Sequence, residues 1–162
     1  MSTKATTRPS TSYDDDFYAW TQDQAEKLRV RRHNEIDWDN LAEEIESVGR
    51  SQKSEIRNRL RVLLQHLLKW HFQPELRCRP WQSTISEQRV HIEGVIEDSP
   101  SLSAFPEDAL DWAYRGAIRK AAEETKLAQD IFPTACPYTI EQILAYDFMP
   151  GRPWHPDDLI GD

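Results

Sequence analysis

Apolar residues recur every three or four positions through the middle of the chain. Between positions 50 and 72 they are Ile56, Leu60, Leu63, Leu64, Leu67 and Trp70. This spacing follows the 3.6-residue helical period over about four turns. On the preceding turns one face carries Trp38, Leu41, Ile45 and Val48. The pattern predicts a long central helix over roughly 39–72, either continuous or as two helices in line with a kink near Gly49.

Shorter periodic segments on both sides of the central helix predict further helices. One runs through Phe17 to Leu28 behind an acidic cap, a second covers 81–97, a third starts at Pro106, and a short one follows Thr139 and reaches Phe148. Pro74 and Pro80 are expected to end the central helix. Because no segment alternates as a strand does, the sequence predicts an all-α fold, an irregular bundle of five to six helices without a sheet.

Composition divides the chain into three parts. Residues 1–12 are mostly Ser, Thr, Lys and Pro, which predicts a disordered leader. Residues 13–150 are expected to form a single helical domain. Residues 151–162 follow Pro150 and read as a C-terminal tail rich in proline and glycine.

Charge is distributed unevenly along the chain. The segment Arg50–Arg89 holds nine Lys or Arg against three Asp or Glu, a net charge of +6, within a chain of formal charge -8. Such a segment could bind phosphates, and nucleic-acid binding through it is one hypothesis. The acidic remainder disfavours that hypothesis, because it repels nucleic acid and offers an internal or intersubunit partner for the basic segment.

Two separated cysteines, Cys78 and Cys136, predict neither a disulfide framework nor a zinc site. No apolar run reaches the length of a membrane span, so no membrane association is expected. These features favour a cytoplasmic protein. The histidines and carboxylates lack metal-ligand spacing, no nucleophile motif or phosphate-binding glycine loop is present, and we expect no metal and no cofactor.

Candidate functional residues lie along one edge of the central helix. Arg59, His66 and Trp70 form a stripe beside the apolar face, whereas Asn58, Gln65 and Lys69 are expected to be exposed. A guanidinium, an imidazole and an indole in a row could line a pocket for an anion or a planar ligand. The alternative is a structural role, with His66 bonded to a neighbouring carboxylate.

Gln88 falls in the apolar stripe of the following helix, with Arg89 at an edge of that stripe. A buried amide needs partners, because an unpaired one costs about 1–3 kcal/mol. The expected partners are Glu44, Arg59 or His66. An interhelical polar network follows, either purely structural or part of a site.

Several strings in the chain resemble those of a bacterial protein family. They are Asp16-Phe17-Tyr18-x-Trp20, Leu41-Ala42-Glu43-Glu44-Ile45-Glu46-x-x-Gly49, His66-Leu67-Leu68-Lys69-Trp70-x-x-Gln73-Pro74, Trp81-x-x-Thr84-Ile85-x-Glu87-Gln88-Arg89, Asp98-Ser99-Pro100-Ser101-Leu102 and Phe132-Pro133-x-x-Cys136-Pro137-Tyr138. The chain is similar over about 13–150 to domain of unknown function 29. The resemblance implies a small, all-helical bacterial protein without assigned catalytic or binding residues. Its shared positions include the candidates Glu44, His66, Trp70, Trp81 and Gln88.

Three functional hypotheses follow. The first is a non-enzymatic interaction or regulatory module, a homo-oligomer or a binder of a protein partner. The second is a small-molecule or nucleotide-binding protein, with enzymatic activity left open, that uses a polar pocket formed from Glu44, Arg59, His66, Trp70, Trp81, Gln88 and Arg89. The third is nucleic-acid binding through residues 50–89. The absence of a catalytic constellation favours the first.

Overall fold

The computed structural model describes residues 12–161 and is built from helices. They are α1 (Phe17–Arg29), α2 (Trp38–Phe72), α3 (Arg79–Asp98), α4 (Phe105–Thr125) and α5 (Ile140–Leu144). Among the described residues, strand pairing is limited to an isolated bridge between Cys78 and Ile160. The all-α fold and the long central helix are confirmed. The predicted leader lies outside the described residues except for Ser12.

The chain divides into two compact units whose boundary falls within α2, after Arg50. The first unit contains α1 and the beginning of α2. The second contains the rest of α2 and all later helices. α2 is a single helix that includes Gly49.

In the first unit, Asp37 joins the start of α2 to α1. Its side chain accepts hydrogen bonds from the indole nitrogen of Trp20 at 3.2 Å and from the amide side chain of Asn40 at 2.8 Å. Its backbone N–H donates to Gln24 Oε1 at 2.8 Å. The bond from Asn40 is the main reason that the pKa of Asp37 lies below its usual value. The Asp37 carboxylate also accepts from the Asn40 backbone N–H at 3.4 Å, so Asp37 caps α2.

The apolar face at the beginning of α2 is largely exposed in this unit. We call Trp38, Leu41, Ile45 and Val48 the N-terminal stripe. The exposed fraction is 54% for Trp38 and 66% for Ile45. The helical period correctly placed these residues on one face. Burial of the apolar face of α2 is found in its later turns, from Ile56 to Trp70.

In the second unit, the predicted apolar stripe of α2 forms the core. Its six members, Ile56, Leu60, Leu63, Leu64, Leu67 and Trp70, are fully buried. α3 contributes Ile85 and Ile92, and α5 contributes Ile143. α4 contributes the four alanines Ala109, Ala113, Ala117 and Ala121, spaced one turn apart. Such small side chains allow close approach of a neighbouring helix.

α2 and α4 lie side by side and run in the same direction. Contacts occur in the same order along both helices: the Lys53 ammonium lies 5.4 Å from the Phe105 ring, the Arg57 guanidinium 4.4 Å from the Trp112 ring, and the Lys69 ammonium 2.6 Å from a Glu124 oxygen. Residues 53, 57, 61, 65 and 69 thus form a polar row, one turn apart, that faces α4.

The segment after α5 packs onto the end of α2. The Trp154 ring meets Trp70 edge-on, with ring centres 5.1 Å apart. The Ile160 N–H donates to the Arg77 carbonyl at 2.8 Å. Gly151 has a φ of +84°, and a Cβ atom there would lie 2.9 Å from the His71 ring. The residues assigned to a tail therefore contribute to the second unit.

Two boundary predictions were wrong. Pro80 does not end the central helix. It lies in the first turn of α3, where the N–H group that proline lacks would have no partner within the helix. The last helix ends at Leu144 and does not reach Phe148. Its start was predicted correctly, because Thr139 and Gln142 form a reciprocal capping box.

Candidate functional site

Arg59 and Gln88 are brought together across the α2–α3 contact. Arg59 Nη1 donates to Gln88 Oε1 at 3.4 Å, and the same guanidinium lies 3.4 Å from a Glu55 oxygen. Gln88 is buried, so this bond satisfies an oxygen that would otherwise be costly to desolvate. Arg59 is one of the three partners expected for Gln88.

His66 is largely buried and lies two turns after Arg59 on α2. Its Nδ1 lies 2.9 Å from the Val62 carbonyl oxygen, so Nδ1 carries the hydrogen and donates it. Burial lowers the pKa of His66, and Lys69 lowers it further, while the Val62 carbonyl and Glu124 act against them. The imidazole is therefore neutral at pH 7. The acceptor of its ring hydrogen is a backbone carbonyl, not the carboxylate expected from the sequence.

The two candidate tryptophans have different surroundings. Trp70 is fully buried between the Arg77 guanidinium, 5.0 Å from its ring centre, and the ring of Trp154. Its indole nitrogen is buried and has no hydrogen-bond partner among residues 12–161. Trp81 is half-buried, and the Lys69 ammonium lies over its ring, 4.5 Å from the ring centre. Both indoles therefore hold cationic side chains of the same chain.

Lys69 and Gln65 were expected to be exposed, and this was wrong. Both are buried against α4, where Glu124 Oε2 accepts from Lys69 at 2.6 Å and Oε1 accepts from Gln65 at 2.8 Å. Burial would raise the pKa of Glu124, but the bond and charge of Lys69, with smaller effects of His66 and Gln65, hold it below its usual value. The regular i, i+4 row of polar residues on α2 was the signal that could have predicted this contact.

Removing either partner of the Lys69–Glu124 pair is expected to have unequal effects. In Glu124→Gln the buried ammonium loses its counter-charge, which we expect to cost about 1–2 kcal/mol of the free energy of unfolding. In Lys69→Met the carboxylate, whose side chain is 45% exposed, can be hydrated instead, and the expected cost is about 0–1 kcal/mol. Urea unfolding at pH 7 measures both, with exposed Glu123→Gln as the control.

The same pair predicts the sign of a pH effect. Because the pKa of Glu124 is lowered on folding, its contribution is complete above the ordinary carboxyl pKa of about 4.3 and is lost as the pH falls through the folded value. The stability difference between the native chain and Lys69→Met should therefore shrink on acidification. A difference that grew toward low pH would contradict the assignment.

Arg89, next to Gln88 on α3, holds the segment around α5. Its guanidinium donates to the carbonyl oxygens of Ile143 at 2.9 Å, Tyr146 at 3.3 Å and Phe148 at 2.8 Å. Burial lowers its pKa to about 10, so it remains charged at pH 7. Arg89 also borders a cleft of about 350 Å³ between α3 and the segment after α5, with Ile96, Glu97 and Leu144.

Arg77 makes a second set of carbonyl contacts at the end of α2. It is buried and donates to the carbonyl oxygens of Trp70 at 2.8 Å, Arg152 at 2.9 Å and Pro150 at 3.3 Å. No sequence pattern distinguished it from exposed arginines. Arg77 and Arg89 together bind five carbonyls of the stretch 143–152 and one of α2, which is a structural use of charge.

Glu44, the remaining candidate, belongs to the first unit. It accepts a short hydrogen bond from the Tyr13 hydroxyl, and this bond is the main reason that the pKa of Tyr13 is raised. The Tyr13 ring in turn packs edge-on against Trp20, with ring centres 5.0 Å apart. The hydrogen bond to Glu44 thus holds Tyr13, just before α1, against α2.

A basic groove lies between α2 and α4, and the sequence analysis did not anticipate it. We call it the α2–α4 groove. It has a volume of about 510 Å³ and is lined by Asn58, Arg61, Trp112, Gly116, Arg119, Lys120 and Glu123. The stem of Arg61 lies directly against α4, since a Cβ on Gly116 would be 2.7 Å from Arg61 Cδ. Only the basic segment 50–89, which contains Arg61, pointed toward it.

Within residues 12–161, no three His, Cys, Asp or Glu side chains are arranged to hold a metal ion. None of the described helices combines the length and the apolar character that crossing a bilayer requires.

Comparison with known proteins gives one result. The model of the family described as domain of unknown function DUF29 matches residues 12–149. No curated protein and no solved structure matches the chain. The match spans the helical elements from α1 through α5, as the shared sequence strings predicted. The chain belongs to the DUF29 family.

Proposed function

We propose that the chain is a non-enzymatic interaction module that associates with a second copy of itself through the N-terminal stripe. The observation that carries the proposal is the exposure of two large apolar side chains on one helix face, Trp38 at 54% and Ile45 at 66%. Exposed apolar side chains in a contiguous stripe are typical of protein interfaces.

The spacing of the N-terminal stripe favours a helix as its partner. Trp38, Leu41, Ile45 and Val48 follow the 3-4-3 spacing of heptad positions a and d. A β-branched residue at a with leucine at d, as in Ile45 and Leu41, favours a parallel pair. The flanking e positions hold the exposed small residues Ala42 and Gly49, which allow two helices to approach closely.

The charges beside the stripe also favour a parallel pair of identical helices. Glu44 occupies a g position, and in parallel pairing it faces Gly49 at position e of the second copy, so no like charges meet. In antiparallel pairing the two Glu44 side chains would face each other. On the outer surface Arg50 forms ion pairs with Glu43 at 2.7 Å and with Glu46 at 3.5 Å, which reduces repulsion between copies.

Light scattering coupled to size-exclusion chromatography tests the proposal. The stripe covers only two heptads, so we expect a weak dimer with a dissociation constant on the order of 10–100 μM. The measured mass should rise from 19.0 kDa toward twice that value as the concentration increases. Ile45→Glu should keep the chain monomeric, because it places a charge at the centre of the seam.

The control is Gln22→Glu, which adds the same charge at an exposed position of α1 in the same unit. It should dimerise as the native chain does. A native chain that stays at 19.0 kDa up to about 500 μM would overturn self-association. Equal dimerisation of native chain and Ile45→Glu would assign the interface to another surface.

A further inference from the structure

Two guanidinium groups in the α2–α4 groove have no carboxylate partner among the described residues. Within residues 12–161, Arg61 and Arg119 form no ion pair, whereas Arg115 pairs with Asp111 at 2.9 Å and Lys120 with Glu123 at 2.9 Å. Cations that line one groove repel each other unless an anion lies between them. Guanidinium groups favour oxyanions that accept two parallel hydrogen bonds, and phosphate is such an anion.

An aromatic ring lies at the same groove. Trp112 is 41% exposed, and the Arg57 guanidinium lies over its ring at 4.4 Å. The Arg57 Nε is buried and finds no hydrogen-bond partner in the part of the chain that the structure describes, and stacking on Trp112 holds this guanidinium. An indole supported by a cation and open to solvent is a surface on which a planar base can stack.

The groove volume of about 510 Å³ lies within the usual range for small-molecule sites. Asn58 adds an amide that can donate to a phosphate or a base. The groove therefore combines two guanidinium groups, an amide and an exposed indole in a volume that a nucleotide can occupy.

We propose that the α2–α4 groove binds a nucleoside phosphate, with the phosphate on Arg61 and Arg119 and the base against Trp112. This site lies wholly in the second unit and is independent of the N-terminal stripe. The phosphate can belong to a free nucleotide or to a single strand, and the test separates the two sources.

Isothermal titration of the full chain with adenosine 5′-monophosphate, at low ionic strength, tests the proposal. Arg119→Gln is expected to weaken binding by about 10- to 100-fold, the range for one charge-assisted hydrogen bond to phosphate. The matched control is Arg115→Gln, one turn away on α4, exposed and paired with Asp111. Both variants remove one positive charge from exposed positions, so both should fold.

A second variant separates placement from charge. Gly116→Ala keeps every charge but puts a Cβ where the stem of Arg61 lies, 2.7 Å from its Cδ. The stem must move, so binding of adenosine 5′-monophosphate should fall several-fold. Helix stability should not fall, since alanine is the better helix former. Circular dichroism on heating checks that the variant is folded.

Four outcomes would overturn the proposal. No binding of adenosine 5′-monophosphate removes the site, and an equal loss in Arg119→Gln and Arg115→Gln reduces it to nonspecific charge attraction. Equal binding of inorganic phosphate, or no effect of Trp112→Leu, overturns the stacked base.

A twelve-residue oligothymidylate identifies the source of the phosphate. If the source is a single strand, this oligonucleotide should bind more tightly than adenosine 5′-monophosphate. The logarithm of its binding constant should then fall against the logarithm of the salt concentration with a slope of about -0.7 for each phosphate contacted.

Discussion

Replacing Arg89 with methionine is expected to remove about 3–5 kcal/mol of the free energy of unfolding. The guanidinium satisfies three carbonyls around the end of α5, and methionine fills similar space but donates nothing. Charge-assisted hydrogen bonds of this kind contribute about 1.5–3 kcal/mol each, and partial hydration of the exposed Tyr146 region reduces the sum. Urea unfolding measures the loss as a lower midpoint at an unchanged slope.

The control for Arg89 lies on the same helix. Arg79 is exposed in the first turn of α3, and Arg79→Met should change the free energy of unfolding by less than about 0.5 kcal/mol. Arg89→Lys keeps the charge but cannot reach three divergent carbonyls, so it should recover less than half of the loss. A cost below about 1 kcal/mol for Arg89→Met would show that water satisfies the carbonyls equally well.

Replacing Gly151 with alanine is expected to cost about 2–4 kcal/mol. One part of the cost is the left-handed backbone, with a φ of +84°, which is about 1–2 kcal/mol for a residue with a Cβ. The other part is steric, because the new Cβ would lie 2.9 Å from His71 Cδ2 and 3.1 Å from Arg77 Nη2. Either α2 or the Arg77 contacts must shift.

Gly161→Ala isolates the backbone part of that cost. Gly161 also has a positive φ, +70°, but a Cβ there would meet nothing within 4 Å. Thermal unfolding of the two variants should therefore differ by the steric part alone, about 1–2 kcal/mol. Equal costs would mean that the segment after α5 moves away from His71 without penalty.

Much of the helical fold could be predicted from the periodicity of apolar residues, because burial of a helix face requires that period. The stripe from Ile56 to Trp70 forms the core as expected, and Thr139 caps α5 as expected. The exposure of the N-terminal stripe could not be predicted, since periodicity assigns residues to a helix face but does not indicate whether another element covers that face.

The burial and partners of the long cationic side chains were predicted less well for a physical reason. Long cationic side chains extend their apolar stems across a helix surface before the charge ends, so a helical position does not determine burial. Lys69 was expected in solvent and is buried on Trp81 and Glu124. Arg77 and Arg89 bind backbone carbonyls, and carbonyls are present at every residue, so no sequence pattern marks their partners.

The carbonyl contacts of Arg77 and Arg89 affect how the stretch 145–152 exchanges its amide hydrogens with solvent. In this stretch the guanidinium groups donate hydrogen bonds to backbone carbonyl oxygens. In a helix, by contrast, both the carbonyl oxygens and the N–H groups of the backbone are hydrogen-bonded. The N–H groups of Tyr146, Asp147 and Arg152 lie outside any helix, and no backbone carbonyl of residues 12–161 accepts from them. The backbone of this stretch is therefore held in place while these amide hydrogens are not protected from exchange. They can take up deuterium as quickly as those of a loop do.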